Sequence, residues 1–191
     1  MSVLDAATTG QLTGGASFSL RHRAERVLWK LCWTLAARWT PPPLHGWRCF
    51  VLRRFGARIG TGVRIYGSAR IWYPRHLVMA DFSCLGPEVE CYSQGTITIG
   101  RYAIVSQRAH LCAGTHDISD PQFQITPRPI VLGERCWIAA EAFVGPGVHI
   151  GNGTVLGARG VAMKDLAEWT VYSGNPAAAV KQRRLRAPAD G

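Results

Sequence analysis

Aliphatic residues recur every six positions through most of the chain beyond Gly56. Neither the helical period of 3.6 nor the alternation of an ordinary strand generates a strict period of six. Three runs share the spacing: Ile59, Ile65, Ile71 and Leu77, with Val89 continuing the phase after Ser83; Ile99, Val105 and Leu111; and Leu132, Ile138, Val144, Ile150 and Leu156.

Six-residue repeats of this kind are typical of a parallel β-helix, in which each short strand and its turn take six residues. Three hexads close one triangular coil, so residues 18 apart should stack at the ~4.8 Å spacing of neighbouring strands. The anchor must be aliphatic to fill the prism, and the inward residue four positions later is mostly small or β-branched. The pattern therefore predicts an all-β chain with a β-helix over residues 59–180.

The repeat is interrupted twice. One break lies between Val89 and Ile99, and the other is the segment "DISDPQFQITPRPIV", residues 117–131. The second break reads as a loop that projects from the coil, with His116 and Asp117 at its start. Loops that interrupt a rigid scaffold commonly carry chemistry.

The N-terminal part has a different pattern. Residues 1–17 are predicted to be disordered, and residues 18–58 form a helical segment whose helix runs from Phe18 to Trp39 and ends before the prolines at 41–43. Basic and apolar residues occupy different sides of this helix, and its apolar run is shorter than the ~20 residues of a membrane span. Two interpretations stay open: the helix packs on the protein's own core, or it lies in a membrane interface as a peripheral contact. The basic side holds Arg23, Arg26, Lys30, Thr34 and Arg38, and the apolar side holds Phe18, Leu28, Trp29, Leu31, Cys32, Trp33, Leu35 and Trp39.

The net charge of +10 is confined to the two ends. Residues 1–58 carry nine Lys or Arg against two acids, and the basic tail 181–191 carries four against one, whereas 59–180 carries nine of each. No recognised nucleic-acid module accompanies the basic ends, so nucleic acid is not the predicted partner. A membrane surface or an anionic cofactor fits these charges.

The six cysteines show no CxxC or comparable zinc spacing, and no secretory signal precedes them. They are interpreted as free thiols, and the chain is predicted to be cytoplasmic.

Several longer stretches resemble a known family. The hexads, the His-bearing loop, "RCWIAAEAFVGPGVHIGNGTVLGARGVAMKD" and the terminal "GNPA" resemble the hexapeptide-repeat acyltransferases. More narrowly, "PLHGWRCFVLRRFGARIG", "LCAGTHDISDPQF" and "CWIAAEAFVGPGV" resemble the colanic acid biosynthesis acetyltransferase branch. The resemblance implies a left-handed β-helix, a homotrimer, and acetyl-CoA in the cleft between subunits. It also implies acetyl transfer to a hydroxyl of a sugar, free or in a lipid-linked glycan, destined for a surface polysaccharide.

The resemblance also assigns residues. The family's catalytic histidine begins the projecting loop, which is His116 here. The positions that match the coenzyme A site are Trp137, Ala140, Ala158 and Lys164. Met163 replaces a common threonine before Lys164, so one hydroxyl contact to the donor is missing.

The chemistry of His116 is consistent with that role. An alcohol that attacks a thioester needs a base with a pKa near 7, and histidine has an unperturbed value of ~6.5. A structural loop residue and a metal ligand are the alternatives for His116. Asp117 either orients the imidazole or caps the loop. Lys181 and Arg183 either pair with the phosphates of coenzyme A or belong to a solvated tail.

The remaining candidates are less specific. Tyr73, Glu88 and Tyr92 precede the loop and are candidate contacts to the sugar, and His110 is either a solvent-facing strand residue or a further acceptor contact. Stacked histidines raise a rival class, the γ-type carbonic anhydrases, which share the fold and bind zinc through three histidines. The histidine spacing argues against that class, so no metal is predicted. A non-catalytic trimeric scaffold is a second rival.

Overall fold

The structure is a computed structural model that describes residues 17–185. Of residues 1–17, which are predicted to be disordered, residues 1–16 lie outside the described residues, and so does the last part of the basic tail from Arg186 onward. Two α-helices come first, α1 over Leu20–Ala36 and α2 over His45–Arg54. Short strands follow, from β1 to β19: Arg58–Ile59, Arg64–Ile65, Arg70–Ile71, Leu77–Met79, Cys84–Leu85, Glu90–Tyr92, Ile97–Ile99, Ile104–Val105, His110–Cys112, Gly114–His116, Ile125–Pro127, Ile130–Leu132, Trp137–Ile138, Phe143–Val144, His149–Ile150, Val155–Leu156, Val161–Ala162, Thr170–Ser173 and Ala178–Gln182.

The strands form a left-handed parallel β-helix with three faces, which confirms the predicted fold class. The first face stacks β1, β4, β7, β12 and β15. The second stacks β2, β5, β8, β13, β16 and β18, with β19 added antiparallel at the end. The third stacks β3, β6, β9, β14 and β17. The aliphatic anchors fill the interior, where Ile65, Leu111 and Ile150 are among the fully buried side chains.

The coil length is 18 residues only in the later coils. Leu132 pairs with Ile150 at that spacing, but Ile65 pairs with Leu85 and Leu85 with Val105, which are twenty residues apart. The prediction that Val89 continues the anchor phase after Ser83 is therefore wrong. Met79, Leu85 and Cys91 are the anchors, and Ser83 and Val89 take the inward positions four residues after Met79 and Leu85. The extra residues fall between Ile71 and Met79, where Pro74–His76 form a 3-10 helix, and between Cys91 and Ile99.

Helix α1 packs on the β-helix, but not with the side that its leucines suggest. His22, Trp29 and Trp33 are its buried residues, and the Trp29 indole Nε1–H donates to the Ile71 carbonyl oxygen at 2.7 Å. Arg26 lies on the same inward side, while Leu28, Leu31 and Leu35 are more than half exposed. Packing on the protein's own core is therefore confirmed for Trp29 and Trp33 and is wrong for Trp39 and for the leucines. No helix of residues 17–185 is long and apolar enough to cross a membrane.

Arg48 of α2 holds the connection between the two helices against the first coil. Its side chain is fully buried, and no carboxylate of residues 17–185 pairs with it. The guanidinium instead donates to the Thr40 hydroxyl at 2.7 Å, to the carbonyl oxygens of Pro41 and Pro42, and to that of Ile65. Because buried guanidinium hydrogens must all find acceptors, this set of bonds fixes the proline segment on the β-helix.

Candidate active site

The segment predicted as a projecting loop, 117–131, is largely an antiparallel β-hairpin. Strand β10 ends at His116 and pairs with β11, so that His116 lies opposite Ile125. The Asp117 amide donates to the Gln124 carbonyl oxygen at 2.8 Å and extends the ladder by one bond. The loop prediction is thus wrong for residues 125–127 and for Ile130 and Val131, which belong to strands, because the prolines at 127 and 129 interrupt the strand pattern.

Two aspartates close the tip of this hairpin. The Asp117 Oδ1 accepts from the Ser119 amide at 2.9 Å, and the Asp120 Oδ1 accepts from the Gln122 amide at 2.8 Å. Such side-chain bonds to the amide two residues on stabilise tight turns. Of the two roles left open for Asp117, the observed contact is the cap, and the imidazole takes its partner elsewhere.

That partner is the backbone of Phe123. The Nδ1 of His116 lies 2.6 Å from the Phe123 carbonyl oxygen. A carbonyl oxygen can only accept, so Nδ1 carries a proton, and in the neutral ring Nε2 is the nitrogen that presents its lone pair. His116 is exposed, and its Nε2 is therefore able to take a proton from a bound hydroxyl. Phe123 reaches this position with a φ of +49°, in the left-handed region that a phenylalanine rarely adopts.

The root of the hairpin rests against Gln94. A side chain at Gly114 would overlap the Gln94 amide, which explains why glycine occupies the first residue of β10. The Gln94 Nε2 donates to the Tyr92 hydroxyl at 2.8 Å, and the Ala113 amide donates to the Tyr92 carbonyl oxygen at 3.1 Å. The structure thus brings Tyr92 to the hairpin root. Gln94 belongs to the same group but was not predicted, because it lies in the irregular segment between two anchors.

The other predicted acceptor residues are placed differently. The Tyr73 side chain is buried and its hydroxyl donates to Glu25 of α1 at 2.7 Å. Glu88 lies at the corner between the second and third faces, where it pairs with Arg108 at 3.5 Å. His110 stands on the third face with its ring edge against Phe143, and burial lowers its pKa. It is half-buried, so its description as a solvent-facing residue is wrong.

An aromatic cluster near this root was not predicted at all. The Arg26 guanidinium lies 4.4 Å from the centre of the Trp72 ring, and Trp72 contacts Tyr92 edge-on at 5.7 Å. His22 packs on Trp72 and on Tyr73, with ring centres 5.3 and 4.4 Å apart. The hexad pattern gives no sign of this cluster because half of it comes from the inward side of α1.

Two of the residues predicted to bind coenzyme A share a cavity. A recess of about 310 Å³ on the second face is lined by Trp137, Arg183, Arg135, Tyr102 and Ile104. The Trp137 indole Nε1–H donates to the Ser106 hydroxyl at 2.9 Å, which fixes the exposed ring. The Arg183 Nη1 donates to the carbonyl oxygens of Arg135 and Gly153, both at 2.8 Å.

The other predicted donor-site residues lie along the later coils. Ala140 and Ala158 stack one coil apart at the corner between the second and third faces. Lys164 is exposed in the turn after β17, at the corner from which the His116 hairpin also leaves two coils earlier. Lys181 lies exposed in β19, opposite Val171. In a single subunit these residues therefore do not converge on one pocket.

Over residues 17–185, no three His, Cys, Asp or Glu side chains gather into a group that would hold a metal ion. The six cysteines, all within this range, are unpaired thiols.

Comparison with known proteins decides the family. No protein-family model matches the chain. The Escherichia coli K12 protein named as a colanic acid biosynthesis acetyltransferase, WcaF, is 45% identical over 157 residues, which cover 81% of this chain and 86% of WcaF. This chain belongs to the colanic acid biosynthesis acetyltransferases. It is thus an acyltransferase of the hexapeptide-repeat class, as its motifs predict.

Solved structures of hexapeptide-repeat enzymes share the fold of this colanic acid biosynthesis acetyltransferase. A maltose O-acetyltransferase from Clostridium difficile 630 superposes with a TM-score of 0.78 at 22% identity, over 87% of this chain and 90% of that one. A hexapeptide-repeat-containing acetyltransferase from Vibrio cholerae, complexed with acetyl coenzyme A, gives a TM-score of 0.77 at 18% identity, over 87% and 91% of the two chains. At these identities the likeness establishes the fold.

Proposed function

We propose that the chain transfers an acetyl group from acetyl-CoA to a sugar hydroxyl in the biosynthesis of a surface polysaccharide. The observation that carries the mechanism is the bond between the His116 Nδ1–H and the Phe123 carbonyl oxygen. In the neutral ring it makes Nε2 the nitrogen with the available lone pair, at the end of a hydrogen-bonded hairpin where His116 is exposed.

The reaction proceeds in one displacement without an acyl-enzyme. The Nε2 of His116 takes the proton as the sugar oxygen forms its bond to the thioester carbonyl carbon. The tetrahedral intermediate then collapses, the carbon–sulfur bond breaks, and the imidazolium returns the proton to the coenzyme A sulfur. The Phe123 carbonyl supports the imidazolium because it accepts from the positively charged ring more strongly than from the neutral one.

The donor site is proposed to involve the later coils. Trp137, held by Ser106, offers a flat apolar wall to the pantetheine chain, and Ala140 and Ala158 leave room beside the backbone of two successive coils. Lys164, Lys181 and Arg183 supply positive charge for the phosphates. Since these groups do not converge in one subunit, the proposal includes a homotrimer in which the donor lies between adjacent subunits.

The acceptor is proposed to lie beside the hairpin root. The Tyr92 hydroxyl and the Gln94 amide form a hydrogen-bonded pair there, and both can exchange bonds with sugar hydroxyls. Tyr73 contributes through its position in the neighbouring aromatic cluster, since its own hydroxyl is bonded to Glu25.

The experiment is a transfer assay with the purified full chain. Acetyl-CoA is incubated with a panel of nucleotide sugars, free oligosaccharides and lipid-linked glycans, and both free thiol and acetylated product are measured. Stoichiometric O-acetylation of one acceptor, with no zinc by metal analysis, is the expected result. Carbon dioxide hydration with bound zinc, or the lack of coenzyme A turnover with every acceptor, would contradict the proposal.

A further inference from the structure

The face of α1 that points away from the β-helix is a continuous apolar stripe. The buried residues His22, Trp29 and Trp33 mark the inward side of α1, so residues half a helical turn away from them point outward. Leu20 and Leu35, near the two ends of the stripe, are 78% and 72% exposed. The outward residues are Leu20, Ala24, Val27, Leu28, Leu31 and Leu35.

Aromatic side chains continue this stripe beyond the end of the helix. The Trp39 indole donates to the Leu35 carbonyl oxygen and the Trp47 indole to that of Ala36, both at 2.7 Å. Trp47 stacks on Phe50 of α2 with ring centres 5.6 Å apart, and these three rings are at least 44% exposed. We call the stripe and these three rings the outer apolar surface.

Positive charges border the outer apolar surface on both sides. Arg21 lies along one edge of the α1 stripe, Arg23 and Lys30 lie along the other, and Arg38 follows the helix. The one acid of α1, Glu25, bonds Tyr73 and pairs with Arg75 at 3.3 Å and with Arg21 at 3.2 Å. Within residues 17–185, Arg23, Lys30 and Arg38 have no carboxylate partner. The border is therefore cationic, as is the whole of residues 1–58, with nine basic residues against two acidic ones.

We propose that the outer apolar surface docks on an anionic phospholipid bilayer, with α1 lying in the plane of the interface. An apolar stripe bordered by Arg and Lys is the arrangement that inserts into the acyl boundary while its cations meet the lipid phosphates. Tryptophan side chains are enriched at the membrane–water interface. The Trp39 and Trp47 indoles, whose N–H groups already have carbonyl acceptors, suit that depth. A second copy docked face to face on this surface is the poorer occupant, because two identical surfaces would bring their cationic borders together.

The docking is independent of the acetyl transfer and is tested without it. The full chain is sedimented with vesicles of phosphatidylcholine alone and of phosphatidylcholine with roughly 30 mol % phosphatidylglycerol. Partition onto the anionic vesicles should be at least about tenfold stronger and should fall in ~0.5 M salt. Brominated lipids should quench part of the tryptophan fluorescence.

Matched variants locate the contact. The double variant Leu28→Gln/Leu31→Gln should lower partition about tenfold, because two apolar side chains no longer enter the bilayer. The control Val180→Gln/Leu185→Gln removes side chains of nearly equal exposure, 62% and 55% against 61% and 56%, and should partition like the wild type. Arg23→Gln/Lys30→Gln should remove most of the preference for phosphatidylglycerol.

Three results would overturn the proposal. The first is a wild type that does not sediment with anionic vesicles. The second is a Leu28→Gln/Leu31→Gln variant that binds these vesicles as strongly as the wild type does. In the third, light scattering would show that this variant dissociates an assembly that the wild type forms without lipid, which would assign the surface to contact between copies. Circular dichroism checks that each variant is folded.

Discussion

The imidazole Nδ1 of His116 and the carbonyl oxygen of Phe123 lie 2.6 Å apart across the tip of the β10–β11 hairpin. This bond selects the tautomer in which Nε2 is the base, and it depends on a backbone conformation rather than on a second side chain. The orienting role that an aspartate plays in many histidine sites belongs here to a peptide group, while Asp117 caps the turn.

The conformation of Phe123 is therefore expected to control the rate. Phe123→Val places a β-branched residue at φ +49°, which should displace the carbonyl oxygen and lower kcat by about tenfold, with little change in the KM for acetyl-CoA. Phe123→Gly permits the same φ and should keep most of kcat. Nitrogen-15 NMR of the His116 ring should show the Nδ1–H tautomer in Phe123→Gly but a mixture in Phe123→Val. Equal kcat in the two variants would exclude a positioning role for this carbonyl.

The exposed ring of Trp137 tests the donor site. Trp137→Ala should raise the KM for acetyl-CoA about tenfold, because the pantetheine chain would lose an apolar wall. The KM for the sugar should stay constant, since Trp137 lies on the second face and the hairpin leaves from the edge of the third. Steady-state kinetics with each substrate varied in turn measure both values. An unchanged KM for acetyl-CoA would remove Trp137 from the donor site.

Arg48 is predicted to matter for stability. Arg48→Met would remove the donor to the carbonyl oxygens of Pro41, Pro42 and Ile65 and should lower the free energy of unfolding by about 3 kcal/mol. The exposed Arg54, one turn and a half further along α2, is the control, and Arg54→Met should change stability by less than ~0.5 kcal/mol. Urea unfolding followed by circular dichroism compares them. Similar losses in the two variants would contradict the role given to the buried guanidinium.

The pH dependence of stability should reveal His22. Burial, with smaller contributions from the charges of Arg26 and His76, lowers the pKa of His22 from about 6.5 to about 4. Between these values the unfolded chain binds a proton that the folded chain excludes, so this contribution is fully present above pH ~6.5 and is lost as the pH falls toward 4. The wild type should lose ~2 kcal/mol more than His22→Phe over that range. A difference in the free energy of unfolding between the two proteins that stays constant from pH 6.5 to pH 4 would refute it.

The sequence predicted the β-helix because a period of six has few other physical origins, and it located His116 because the period fails immediately after it. It misplaced the anchors at 83 and 89, since the two-residue addition before Met79 shifts the phase while Leu77 keeps the pattern aliphatic. It also oriented α1 wrongly. Trp29 and Trp33 are apolar like Leu28 and Leu31, and only the shape of the β-helix surface decides which pair is buried.

The candidate site was predicted one residue at a time and not as an arrangement. His116 and Tyr92 could be singled out by residue type and position, but the Phe123 carbonyl has no side-chain signature. Gln94 lies between anchors, and Arg26 reaches Trp72 only because α1 packs across the third-face strands. Contacts made by backbone atoms or across elements distant in sequence leave no local periodic pattern.

The central claim is that Nε2 of His116 accepts the proton of the sugar hydroxyl. Its most direct test is the kcat of His116→Ala for acetyl transfer, measured together with the calorimetric Kd for acetyl-CoA. The account predicts a fall in kcat of about 10²- to 10⁴-fold with an unchanged Kd. Wild-type kcat in His116→Ala, with acetyl-CoA bound as before, would contradict it.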